Sequence, residues 1–145
     1  MSRSAFDLSP DTRQRWFQLQ EGARLAGAPV VLVSTLRTHA EQHALWLIGR
    51  PEHGGSAGAI VTNADAYHSW HETGRAFDVA FFLSPSGKLT YDGPWDDLAA
   101  IAANYGLEWG GSWKTLGDRD HFQYVPAGLT LAEAMTEQDR RLGVA

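Results

Sequence analysis

The chain has 145 residues, enough for one domain with a core of its own and short for two. Hydrophobic residues make up 43% and charged residues 20%, the balance of a soluble globular protein, and the net charge of −5 excludes the basic footprint of a nucleic-acid binder or a polybasic membrane patch. The absence of cysteine excludes disulfides, thiolate metal sites and a cysteine nucleophile.

The N-terminus, MSRSAFDLSP, carries no apolar signal-peptide core, so synthesis in the cytoplasm is expected. No apolar run approaches the roughly 20 residues that cross a bilayer. A first helix is expected from Ser9, with Pro10 in its first turn and Trp16, Leu19, Ala23 and Ala26 as its buried stripe. VVLVS, Val30 to Ser34, reads as a buried strand. Thr38 with Glu41 is a capping-box pattern, and the helix it opens carries Ala40, Ala44, Leu45 and Ile48 as its apolar face, with Gly49 as its stop. Residues 50–68 read as an irregular loop, of a length that is functional or mobile in a compact domain.

RAFDVAFFL, Arg75 to Leu83, reads as a strand, followed by turns at SPSGK and YDGP. Pro94 to Tyr105 is a third helix, with Trp95, Leu98, Ile101, Ala102 and Tyr105 on one side and Gly106 ending it. A strand near Trp109, a glycine turn and a strand over His121 to Val125 come next. Thr130 and Glu133 cap a last helix, to about Leu142. Strands and helices mix without βαβ alternation, so the expected class is α+β, a small mainly antiparallel sheet with surrounding helices in one domain over residues 1–145.

Six histidines need sorting, and their arrangement separates them. His71 precedes the Arg75–Leu83 strand and Asp78 lies on it; in extended chain Asp78, Ala80 and Phe82 share one face and Phe77, Val79 and Phe81 the other. A carboxylate in so apolar a strand needs a partner, either a metal or an arginine such as Arg75. Gly74 and Ala76 leave room for backbone to approach an ion there. His121 opens a later strand, with Asp118 three residues before it. Two histidines and an aspartate leave a fourth tetrahedral position open, as a catalytic zinc needs. His39 and His43 have the i, i+4 spacing of an HExxH zinc site, but Ala40 stands where the glutamate belongs. HETGR fails likewise, with Arg75 in place of the second histidine, and His53 and His68 have no evident partners.

Ser69-Trp70-His71-Glu72-Thr73-Gly74-Arg75-Ala76-Phe77-Asp78 resembles the SxHxxGxAxD motif of the D-Ala-D-Ala metallopeptidase and phage L-alanyl-D-glutamate endopeptidase family, which shares a fold group with lysostaphin and the hedgehog domain. Asp118-Arg119-Asp120-His121 resembles its second motif, and Leu36-Arg37 with Glu41-Gln42 its upstream segment. WGGSWKTLGDRDHFQ is particularly similar to the phage branch, and the likeness runs from about residue 8 to 126. It implies a hedgehog-like fold and one zinc held by His71, Asp78 and His121. It implies Asp118 as general base, Arg37 steadying the scissile carbonyl, and Ser69 and Gln42 near the substrate. The implied reaction is hydrolysis of a peptidoglycan stem peptide between L-Ala and D-Glu; a monomer that acts on the wall if released is expected. D-Ala-D-Ala cleavage, or a silent zinc-binding interaction domain, are the alternatives.

Overall fold

The computed structural model describes residues 1–83, 85–114 and 117–144. Four α-helices surround an antiparallel sheet: α1 (Pro10–Leu25), β1 (Val30–Ser34), α2 (His39–Leu47), β2 (Ala76–Leu83), β3 (Lys88–Thr90), α3 (Trp95–Ala103), β4 (Glu108–Trp109), β5 (His121–Gln123) and α4 (Leu131–Leu142). The strand order is β1-β2-β5-β4, with β3 on the distal part of β2. The expected α+β class therefore stands. No helix among the described residues is long and apolar enough to cross a membrane.

Local chemistry accounts for the helix starts. Thr38 and Glu41 close the capping box that opens α2, and Thr130 and Glu133 do the same for α4. Pro10 occupies the first position of α1, where its missing N–H is no loss. Gly143 ends α4 with φ +75°, a left-handed conformation that glycine adopts without steric cost.

One face of the sheet holds the core. Trp16, Leu19 and Ala23 of α1, Phe77, Val79 and Phe81 of β2, Leu98 and Ala102 of α3 and Phe122 of β5 pack in a single cluster. Trp16 meets Phe77 edge-on at 5.5 Å, and Phe77 stacks on Phe122 at 6.0 Å. Phe77 is fully buried, so Phe77→Ala is expected to lower stability by about 3–5 kcal/mol, read from equilibrium urea unfolding. An unchanged unfolding midpoint would show that this cluster is not the core.

Four expectations are corrected. Ala26 is exposed, because α1 ends at Leu25 and the chain turns away. On α2, Ala40 and Ala44 face solvent and the buried residue is Gln42, because this helix packs over polar groups rather than on the core. The segment after β2 is not all turn: Lys88–Thr90 pairs with Phe81–Leu83 as β3, while Ser84 of SPSGK lies outside the described residues. Gly74 leaves room for protein and not for an ion. A Cβ there would stand 3.0 Å from the Asp7 carbonyl and 3.3 Å from the Ser9 amide, which donates to the Gly74 carbonyl at 2.9 Å.

Arg75, one of the partners considered for Asp78, points elsewhere. Its guanidinium bonds Asp11 and Glu137, both at 3.0 Å, and ties α1 and α4 to the start of β2.

Candidate active site

The site lies on the sheet face opposite the core. Asp78 and His121 are directly opposite one another in the β2–β5 ladder, so register alone brings them together. His71 arrives from a short 3-10 turn, Trp70–Thr73. Ser69 caps that turn by accepting from the His71 amide at 3.2 Å, and Glu72 returns to the Ser69 amide at 2.8 Å. This is a capping box that makes a rigid mount for His71.

Three ligand-capable atoms converge. His71 Nε2 lies 3.2 Å from His121 Nδ1, and Asp78 Oδ1 lies 3.3 Å from each. Atoms about 2.0–2.1 Å from a tetrahedral zinc are about 3.3–3.4 Å apart, so the triangle has the size the ion requires. The outer nitrogens are already used: His71 Nδ1 donates to the Thr35 carbonyl at 2.7 Å, and His121 Nε2 is 2.8 Å from the Gln123 amide oxygen. With those nitrogens protonated, two lone pairs and a carboxylate oxygen face one another, an arrangement that calls for a cation at its centre.

The electrostatics of Asp78 and His71 agree, and that of His121 runs the other way while Asp78 is its partner. Burial would raise the Asp78 carboxyl, but the charge on His71 and the hydrogen bonds of both imidazoles hold it far below the usual carboxylate range. Burial pushes His71 down, towards the neutral form a metal ligand needs. On His121 burial acts downward, but bonding to Asp78 outweighs it and raises the value. The second oxygen of Asp78 accepts from Arg37 at 2.9 Å. An arginine and a metal-ready pair of imidazoles thus both meet this carboxylate, one on each oxygen.

Arg37 also donates to the Gln42 oxygen at 3.2 Å, and the Gln42 amide nitrogen donates to the Ala64 carbonyl at 2.7 Å. Gln42, expected near the substrate, is fully buried and lines neither cavity of the site. Its two ends hold Arg37 and the 61–69 loop in place. That loop is fixed a second time by Glu72, which accepts from the Tyr67 amide at 2.7 Å. The decoy histidines are occupied elsewhere: His39 bonds Glu72 and stacks on Tyr67, and His43 bonds Asp65.

Two adjoining cavities, of about 420 and 220 Å³, border the triad and share Arg37, Thr62, Ala64, Trp113 and Asp118. Trp113 stands with its ring 5.0 Å from His121. Ser69 lines the smaller cavity. Asp118 is half-buried where the cavities meet, its amide bonded to the Gly110 carbonyl at 2.9 Å and its carbonyl to the His121 amide at 3.2 Å. Gly110 is required by this approach, since a Cβ there would lie 2.5 Å from the Asp118 carbonyl oxygen. Asp120 is pushed up to about 8 by burial, by its hydrogen bond with Asp118 and by the charge on Asp78. The segment between Trp113 and Gly117 includes Thr115 and Leu116, which lie outside the described residues.

The family model described as D-alanyl-D-alanine carboxypeptidase matches residues 62–124, which include all three triad residues and Asp118. The peptidoglycan L-alanyl-D-glutamate endopeptidase CwlK of Bacillus subtilis (strain 168) is 33% identical over 129 residues, covering 83% of this chain and 75% of its own. The chain belongs to the D-alanyl-D-alanine carboxypeptidase family. Among solved members of this fold, the L-Ala D-Glu endopeptidase ChiX of Serratia marcescens superposes with a TM-score of 0.58 at 26% identity, over 86% of this chain and 87% of its own. The vancomycin resistance D,D-pentapeptidase VanY, solved in complex with Zn(II), has a TM-score of 0.62 at 17% identity, over 88% and 83%, and shares the fold. Zinc is the cofactor of peptidases of this family, and the triad has the donor set and spacing to take it.

Sequence reasoning missed Gln123, Glu108, Thr35 and Trp113. Gln123 had a readable signal, since it lies two residues after His121 and therefore on the same strand face. The others depend on contacts across the fold.

Proposed function

We propose that this chain hydrolyses the L-Ala–D-Glu bond of peptidoglycan stem peptides, with zinc held by His71, Asp78 and His121. The observation that carries the endopeptidase reading is the lining of the cleft at the triad. Two adjoining cavities border the triad, one reaching Asp78 and the other the two imidazoles, and Arg37 is the only lysine or arginine among the described residues lining them. A carboxypeptidase needs a cation to capture the substrate's terminal carboxylate. Arg37 is held at the triad by Asp78 and Gln42, where it serves the scissile carbonyl, and the Asp118 carboxylate lines the same cavities. An internal peptide bond, which brings no terminal carboxylate to be captured, suits such a lining. The names of the 33%-identical and 26%-identical relatives support the same bond.

Bound in the triad, zinc supplies Lewis acidity, which brings the pKa of water from 15.7 towards about 7. Asp118, at the junction of the cavities, takes the proton of the attacking water and delivers it to the leaving amine. Arg37 holds Asp78 in place and presents positive charge beside the developing oxyanion. Gln42 orients Arg37 and holds the 61–69 wall, and Ser69 fixes the turn that carries His71. The outer hydrogen bonds of His71 and His121 orient the rings and turn one nitrogen of each towards the triad. Residues of the 8–126 core suffice for every one of these steps.

The test is mass spectrometry of products from purified peptidoglycan. A new N-terminal D-Glu with a free C-terminal L-Ala is the expected result. Release of single D-Ala, with no new D-Glu terminus, would replace the endopeptidase reading by the carboxypeptidase one.

A further inference from the structure

The imidazole of His121 serves a metal through Nδ1 only if its proton sits on Nε2. The protein makes that choice two residues away. Gln123 lies on the same face of β5 as His121, is 6% exposed, and places its amide oxygen 2.8 Å from Nε2. A glutamine amide can turn either end to a neighbour. Turned the other way, its NH₂ would make Nε2 the acceptor, and the proton would move to Nδ1, where the ion belongs.

Glu108 decides the orientation. It stands opposite Gln123 in the β4–β5 ladder, and its carboxylate oxygen lies 2.7 Å from the Gln123 amide nitrogen. A carboxylate only accepts, so the amide nitrogen must face it and the amide oxygen must face His121. The chain of donors then runs one way, from His121 Nε2–H to the Gln123 oxygen and from the Gln123 NH₂ to Glu108.

We propose that Gln123 and Glu108 form a positioning relay that fixes the His121 tautomer and so sets the zinc affinity of the site. Glu108 lines neither cavity, so it acts through Gln123 and not on substrate. The relay rests on the reading of His121 as a zinc ligand and goes beyond it, because neither relay residue is a ligand. The acceptor of the relay sits on the two-residue strand β4, directly opposite Gln123 on β5.

The experiment measures the zinc dissociation constant by chelator competition, with KM and kcat on the same preparations. Losses of metal affinity from such outer hydrogen bonds are typically about 10–100-fold. Gln123→Ala is expected in that range, and Glu108→Ala weakens zinc less, because Gln123 remains and is only unlocked. Gln123→Glu alone sets two carboxylates against each other and also weakens zinc. The exchanged pair, Glu108→Gln with Gln123→Glu, restores it, since the carboxylate now accepts from His121 and the amide donates to that carboxylate. Circular dichroism on every variant separates misfolding from the effect sought, and the recovery in the exchanged pair is a result that misfolding cannot produce. A raised KM in Gln123→Ala with unchanged zinc affinity would make Gln123 a substrate contact and overturn the relay. Zinc held equally by parent and all variants overturns the relay alone, whereas no zinc in the parent overturns the ligand reading beneath it.

Discussion

Asp118→Asn is expected to fold and to hold zinc, and to turn over roughly 10²–10⁴-fold more slowly than the parent, the range attributed to general acid–base catalysis. The substitution keeps the size of the side chain. The backbone at this position is fixed independently, by the Gly110 carbonyl on one side and the His121 amide on the other. What is lost is the ability to accept a proton where the two cavities meet. Asp120 is the internal control. It lines only the larger cavity and hydrogen-bonds Asp118, so Asp120→Asn should cost far less. Abolished turnover in Asp120→Asn with an intact Asp118→Asn would show that Asp118 is the wrong carboxylate. Zinc content and peptidoglycan hydrolysis must be read on the same preparations, so that lost metal is not mistaken for a lost base.

The second large effect concerns the metal. The parent should carry about one equivalent of zinc, and His71→Ala and His121→Ala should each lose both zinc and hydrolysis. Removing either imidazole leaves two protein donors of three, beside a buried carboxylate already shared with Arg37. His39→Ala is the contrasting variant. Its ring is bonded to Glu72 and stacked on Tyr67, so zinc should be retained there in full. Full zinc in both triad variants would remove the assignment, and loss in His39→Ala alone would move the metal to the α2 pair. Retained hydrolysis in zinc-free protein would remove metal catalysis altogether.

The residues behind these effects differ in how visible they are in the amino-acid sequence. The capping residues Thr38, Glu41, Thr130 and Glu133 announced two helices because a capping box is completed within four residues. The alternation in Arg75–Leu83 put Asp78 on the face opposite Phe77, Val79 and Phe81, because a strand has a period of two wherever it lies. The two motifs around His71 and His121 identified the candidate ligands and Asp118 for the same local reason: the chemistry is written in short spacings. The resemblance supplied Arg37, Ser69 and Gln42 as residues of interest, but not what each touches.

Tertiary structure decided the rest. Arg75 and Arg37 were equally available to Asp78 in sequence, and only the docking of α1 and α4 drew Arg75 to Asp11 and Glu137. Ala40 and Ala44 read as a buried helix face, yet Gln42 took that place, because α2 covers a polar groove and not the apolar core. Gly74 opened space for the Asp7–Ser9 backbone, more than sixty residues earlier in the chain. Glu108 became relevant to His121 only through strand register across β4 and β5. Helical and strand periodicity, caps and motif spacings are properties of neighbouring residues, so the chain alone determined the elements and the order of the candidate ligands along it. Which polar group meets which buried charge is settled when distant segments close on one another, and only the folded sheet sets those pairings.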